Sequence, residues 1–237
     1  MNYNLDKFKI GLEKLNLNLS DDQIQQFLSY YEMLIEKNKV MNLTAITEYD
    51  EVIEKHFLDS ISLCQVYDLS KPVRILDMGT GAGFPGIPLK IAFPEIEITL
   101  ADSLNKRIKF LDEVVEELGL QKVTTVHARA EELARNKEYR ENFDVVVSRA
   151  VANLSILGEY CIPFVKEGGC FISYKSGEVE EEVESAKKAI KILGGQIKNI
   201  FKFDLSDQKR SFITIEKIKA TPKSYPRKAG TPAKMPL

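Results

Sequence analysis

Asp77, Gly79, Gly81 and Gly83 occupy alternate positions in Ile75-Leu76-Asp77-Met78-Gly79-Thr80-Gly81-Ala82-Gly83-Phe84-Pro85-Gly86, directly behind a short apolar run. A strand that ends on a carboxylate and turns through glycines exposes bare main chain to a ligand. In open α/β sheets this corner binds nucleotides. Two frames fit it. Gly81-x-Gly83-x-x-Gly86, with Asp102 downstream, matches the dinucleotide fingerprint. Asp77-x-Gly79-x-Gly81-x-Gly83 suits S-adenosylmethionine, a ligand with an amine, a sulfonium and ribose hydroxyls. An anion at Asp77 would repel a pyrophosphate and attract the cationic methionine end, so the second frame is preferred. A purely structural turn does not account for four glycines in eight residues.

Further ligand contacts belong at the carboxyl ends of the neighbouring strands. Asp102 ends the second strand, where it either takes the ribose hydroxyls or caps the following helix. Ala130 and Glu131 follow the third strand, placing a backbone N–H and a carboxylate within reach of adenine; Glu131 also reads as a first-turn helix charge. Arg149 ends the fourth strand, and its rigid fork needs partners, so it is the positioning candidate. Phe84 either covers the ligand or packs in the core. No general base stands out. His56 reads as a packing or hydrogen-bonding residue and His127 as structural. Cys64, Cys161 and Cys170 are too scattered for a metal site, so no metal is expected.

Alternating strand and helix signals must hold these residues. The expected strands are Val73–Met78, Ile96–Ala101, Val123–His127, Asp144–Ser148, Cys170–Tyr174, Gln196–Phe203 and Ser211–Ile218, with the clearest helices at Lys106–Leu118 and Glu178–Leu193. Such alternation predicts an α/β fold with a largely parallel sheet. The link Asp204–Lys209 is too short for a crossover, so the last pair should be antiparallel. The arrangement resembles the class I S-adenosylmethionine-dependent methyltransferase fold, with its Rossmann-like, seven-stranded sheet. Residues 1–66 read as a helical N-terminal extension, with Ser20-Asp21-Asp22-Gln23 as a capping box. Residues 67–218 form the core, and 219–237 a basic, Pro-rich tail, extended rather than core-forming.

The 237 residues are 44% hydrophobic, enough to bury a core, and the net charge of −2 leaves any attraction to nucleic acid to a local patch. No apolar run approaches the roughly 20 residues that span a bilayer. A cytoplasmic, monomeric protein without membrane contact is expected.

Several motifs agree on one family. Asn42-Leu43-Thr44-Ala45-Ile46, His56-Phe57-Leu58-Asp59-Ser60, Asp77–Gly86, Arg129-Ala130-Glu131, Ser148-Arg149-Ala150-Val151 and Tyr225-Pro226-Arg227-Lys228-Ala229-Gly230-Thr231-Pro232 occur in order over nearly the whole chain. The chain resembles the bacterial ribosomal RNA small subunit methyltransferase G family, also called glucose-inhibited division protein B. That resemblance implies methylation at N7 of guanine 527, in the 530 loop of 16S rRNA. It implies that Gly79, Phe84, Ala130, Glu131 and Arg149 contact the cofactor, with Asp77, Gly81 and Asp102 beside them. The expected partner is 16S rRNA, the small subunit or its assembly intermediate. Arg227, Lys228 and Lys175 are the candidate RNA contacts, although Tyr174-Lys175-Ser176-Gly177 carries one serine more than the family's usual Tyr-Lys-Gly. Trimming the chain after Ile218 should weaken RNA binding and spare the cofactor. The competing readings are a methyltransferase of another RNA, a protein or a small molecule, and a non-catalytic ribosome-binding module.

Overall fold

Residues 74–78, 97–102 and 143–149 are buried along most of their length, with apolar side chains at their centres, as strands covered on both faces must be. The computed structural model, which describes residues 3–149 and 152–237, gathers them into one seven-stranded sheet of order β3-β2-β1-β4-β5-β7-β6. The strands are β1 (Arg74–Met78), β2 (Glu97–Asp102), β3 (Val123–His127), β4 (Phe143–Arg149), β5 (Val165–Ser176), β6 (Gly195–Leu205) and β7 (Gln208–Lys217). All seven expected strands are present. β1 to β5 are parallel, and β7 runs antiparallel to both β5 and β6. β5 starts five residues earlier than expected, because Val165 pairs with Phe143 ahead of a register shift that leads into Cys170 against Val145.

Successive residues of a strand face opposite sides. Ile75 and Val147 therefore join one core, and Leu76 and Val146 the other. The first core carries α1 (Asp6–Lys14), α2 (Asp21–Met41), α5 (Gly86–Ala92) and α6 (Asn105–Glu117); the second carries α7 (Ala130–Leu133), α8 (Leu154–Cys161) and α9 (Glu180–Ile192). The N-terminal helices thus share a core with the sheet, through Phe8, Phe27, Tyr30, Leu34 and Phe57. The capping box forms as expected, with Gln23 N donating to Ser20 Oγ and Ser20 N to Gln23 Oε1.

The expected third helix, from Glu51 to Val66, is not one regular helix. α3 (Tyr49–Val52) passes into a π-helical segment, Ile53–Leu58, then α4 (Asp59–Ile61) and a 3-10 turn at Ser62–Gln65. π-Helical turns inside helices recur at functional sites, and this one carries His56.

The last segment departs from its expectation. Residues 219–237 do not trail away as an extended end. Thr221, Pro226 and Pro232 are buried, and the short α10 (Thr231–Lys234) lies against α8. Arg140 gathers the segment by donating to the carbonyls of Thr221, Pro222 and Tyr225. No helix of the described residues is long and apolar enough to cross a membrane.

Candidate cofactor and target-base site

The loop between β1 and α5 is set by Asp77. Its Oδ2 accepts from Thr80 Oγ1 at 2.7 Å and from Gly86 N at 2.8 Å, which folds the loop back on the strand. The residue is fully buried, and burial pushes its carboxyl up to about 7. Oδ1 has no partner. Asp77 therefore stands behind the cavity wall rather than in it, a correction to its expected direct contact. Gly81 adopts φ +64° with open space where a Cβ would project, so its main chain is bare towards the cavity. Gly86 is glycine for a different reason: a Cβ there would come within 2.2 Å of Leu100 Cδ2. Tyr30 of α2 holds the loop from the other side, donating to Ala82 O at 2.7 Å.

In front of the loop lies a cavity of about 650 Å³. It brings together Gly79, Gly81, Phe84, Asp102, Ala130, Glu131 and Arg149, as expected. Asp102 lines the cavity and braces the loops around it: Oδ1 accepts from Leu104 N just ahead of α6, and Oδ2 accepts from Gly81 N at 2.9 Å and Arg107 Nη1 at 3.2 Å. Phe84 likewise lines the cavity and belongs to the first core.

Arg149 is held on three sides. Nη1 donates to Asp59 Oδ2 at 2.7 Å and to Lys55 O at 3.0 Å, Nη2 lies 3.2 Å from His56 Nδ1, and the guanidinium carbon sits 5.1 Å over the Phe84 ring. Asp59 also meets Arg210 Nε at 2.9 Å. The His56 ring stacks on Phe84 with centroids 4.4 Å apart, and Nε2 is 2.8 Å from Thr44 Oγ1. Burial, reinforced by Arg149, holds His56 down at about 3, so the ring is neutral. Ala150 and Val151, the rest of that motif, lie outside the described residues.

The C-terminal segment closes the opposite side. Gly230 and Ala233 line the cavity, and Gly230 N donates to Glu131 Oε1 at 2.9 Å. Arg227 is not directed at a partner molecule. Its Nε and Nη2 bracket both oxygens of Glu159, at 2.6–3.1 Å, and its N donates to the same carboxylate. Glu159 is 1% exposed. Lys175 is likewise committed inside, to Glu182 Oε1 at 2.6 Å and Ala152 O at 2.9 Å. Of the three expected RNA contacts, Lys228 alone is exposed. Trimming after Ile218 would remove Gly230 and Ala233 from the cavity wall, so the segment is not separate from the site as the expectation had it. Thr44, Asp59, Tyr160, Gly230 and Ala233 were not foreseen as site residues. Thr44, Asp59 and Gly230 fall within the family-like motifs; nothing in the sequence singles out Tyr160 or Ala233. Among the described residues no group of three or more His, Cys, Asp or Glu side chains could hold a metal ion.

The strand order, the antiparallel β7 and a cavity over the β1 loop define a class I methyltransferase fold. Solved structures share it: TrmN from Thermus thermophilus (TM-score 0.54, 15% identity, covering 70% of this chain and 53% of that one) and M. jannaschii TYW2 in complex with AdoMet (TM-score 0.56, 16% identity, 73% and 80%). The model of the family GidB, rRNA small subunit methyltransferase G, matches residues 23–212. The chain is 56% identical over 229 residues to ribosomal RNA small subunit methyltransferase G of Lachnoclostridium phytofermentans, spanning 96% of this chain and 95% of that protein. It is 54% identical to the Acetivibrio thermocellus protein, over 96% and 94%. The chain belongs to the rRNA small subunit methyltransferase G family and is a methyltransferase.

Proposed function

We propose that this protein transfers a methyl group from S-adenosylmethionine to N7 of guanine 527 in 16S rRNA, acting in the cytoplasm on the small subunit or its assembly intermediate. The observation that carries the reading is the cavity itself. It joins the glycine loop, Glu131 and Arg149, the positions matched to cofactor contacts by family resemblance, in one space of about 650 Å³. That volume suits a nucleoside-sized ligand with room for a base. The residues also fit the group chemically. Gly81 leaves open space beside its backbone, and Asp102 sets a carboxylate on the cavity wall to meet ribose hydroxyls.

When bound, the cofactor supplies an electrophilic methyl group on sulfonium sulfur. The protein's contribution is placement. Guanine N7 carries a lone pair and no proton, so no base need remove one. This agrees with a neutral His56 engaged by Thr44 and Arg149. Transfer wants nucleophile, methyl carbon and sulfur in line, with reacting atoms about 3–3.5 Å apart. Glu131 with Gly230 and Ala233 fixes the adenosine side. The Phe84–His56–Arg149 stack fixes the other. Arg149 is pinned edge-on to Asp59 and faces Phe84, so its charge need not lie over a guanine ring that is becoming cationic. N7 faces the deep, narrow groove of A-form RNA, so the target base must be in a loop or splayed out.

The test is methylation of small subunits from cells lacking the modification, using labelled donor, followed by mass spectrometry of the digested RNA. N7-methylguanine at the expected position supports the reading. Label on another base, on protein, or nowhere while the subunit is still bound would reject it.

A further inference from the structure

Arg149, His56 and Thr44 form a chain whose proton positions are set by the cation at one end. A guanidinium has no acceptor, so the His56 Nδ1 that lies 3.2 Å from Arg149 Nη2 presents its lone pair. Lys55 O, also 3.2 Å from Nδ1, accepts from Arg149 Nη1, and a proton on Nδ1 would face the guanidinium donor beside it. The ring is neutral, so its one proton sits on Nε2 and is donated to Thr44 Oγ1 at 2.8 Å. Ile46 N donates to the same oxygen at 3.0 Å. Both lone pairs of the hydroxyl are then engaged, and it has only its own proton to give. Asn38 holds the residue in place, accepting from Thr44 N and donating to Thr44 O, both at 2.9 Å. Thr44 lines the cavity.

We propose that the Thr44 hydroxyl is a fixed hydrogen-bond donor that reads O6 of the target guanine. The inference rests on the guanine-N7 reading above. In a sheet ordered β3-β2-β1-β4, Glu131 after β3 and Arg149 after β4 stand three strand spacings apart, about 14 Å. Adenosine belongs at the first place, so Thr44, joined to Arg149 through His56, faces the reacting end. Guanine presents N7 and O6 there, both acceptors, whereas adenine presents N7 and an amine. A hydroxyl that can only donate accepts guanine and leaves the adenine amine unpaired. The donor's carboxylate is the competing acceptor. A neutral hydroxyl backed by a neutral imidazole suits a carbonyl better. An anion there would draw a second proton onto His56, which Arg149 opposes.

The experiment uses small subunits reconstituted with guanine or 2-aminopurine at the target; the latter keeps N7 and lacks O6. Single-turnover methylation is measured at saturating cofactor for wild type, Thr44→Val and Thr44→Ser, with cofactor affinity by calorimetry. The wild type should prefer guanine by about tenfold, the effect of one lost polar partner. Thr44→Val should bring the ratio close to one with cofactor affinity within about twofold of wild type, and Thr44→Ser should restore it. A wild-type ratio near one overturns the proposal without any variant. So does a Val variant that keeps the ratio, or one whose main loss is cofactor affinity, which would assign the hydroxyl to the donor's carboxylate. A wild type that leaves N7 of guanine unmethylated defeats the underlying reading as well.

Discussion

The N-terminal helices and the C-terminal segment both wall the same cavity, yet they are attached by opposite means. The helices bury aromatic rings: Phe57 alone lies against Phe8, Phe27, Tyr30 and Phe84. The C-terminal segment is fastened mainly by polar anchors, namely Arg227 on Glu159, Gly230 on Glu131 and Arg140 on three carbonyls. Apolar burial spreads its energy over many contacts, whereas a buried ion pair concentrates it in one. The first wall should therefore fail only with the whole fold, and the second should detach locally.

The sharpest break is Phe57→Ala. Emptying a fully buried phenylalanine costs about 3–5 kcal/mol, and urea unfolding should show that loss in a single transition. Because His56 is its neighbour, cofactor affinity should drop too. A variant that loses the N-terminal helices first, with the sheet still folded, would contradict the shared core. Arg227→Ala should act differently. It leaves Glu159 charged and buried with only the main-chain N–H of residue 227, at a cost of about 3 kcal/mol, and that cost is relieved when the segment lifts away. Hydrogen exchange should rise in residues 219–237 while β1 to β5 stay protected, and cofactor affinity should fall about tenfold as Gly230 and Ala233 leave the cavity. The double change Glu159→Leu with Arg227→Met should regain much of the stability, since apolar replacements of buried pairs are often tolerated. Equal exchange across the sheet and the segment would show that the two walls do not differ.

That difference also marks what the sequence could show. The strands were legible because each is a short apolar run between turn residues, and the antiparallel hairpin because Asp204–Lys209 leaves no room for a crossover. The glycine loop declared itself through spacing. The segment after Ile218 was misread because its composition, rich in lysine and proline, is that of a solvated end. What holds it down lies far upstream, in Arg140 and the carboxylates of Glu131 and Glu159, and no local pattern reveals carboxylate pairings across 99 and 68 positions. Arg227 and Lys175 were misassigned for the same reason: a basic residue looks alike whether it faces RNA or a buried glutamate. The π-helical turn that carries His56 was equally hidden, since its apolar residues still fit ordinary helical spacing.

Two buried titrating groups, Asp77 in β1 and His56 in the helical wall, sharpen the contrast further. Asp77 is held up at about 7 against an ordinary 3.8, so the native state keeps a proton that the unfolded chain has lost. Its contribution to stability therefore declines as pH rises from about 4 to 7. His56 is held down at about 3 against 6.5, so the unfolded chain binds the extra proton and stability declines as pH falls through that window. Between about pH 4 and 6.5 the two slopes oppose each other and the wild type should be nearly flat in these terms. Asp77→Asn should expose the histidine slope, with melting temperature falling towards low pH. His56→Gln should expose the aspartate slope, falling towards neutral pH. Each slope should be of the order of 1 kcal/mol per pH unit. Parallel profiles for the two variants would refute the assignment.

The smallest change separates packing from positioning within the helical wall. Tyr30 contributes its ring to the core and its hydroxyl to Ala82 O, at the edge of the cavity. Tyr30→Phe keeps the ring and removes one buried hydrogen bond, so global stability should fall by only about 1 kcal/mol. Ala82 lines the cavity in the same loop as Gly79 and Gly81, and without its tether that loop gains freedom that cofactor binding must then remove. Calorimetry should therefore show a few-fold weaker cofactor affinity with a less favourable entropy. If affinity and entropy stay at wild-type values while stability falls, α2 only packs against the loop and the helical wall plays no part in shaping the site.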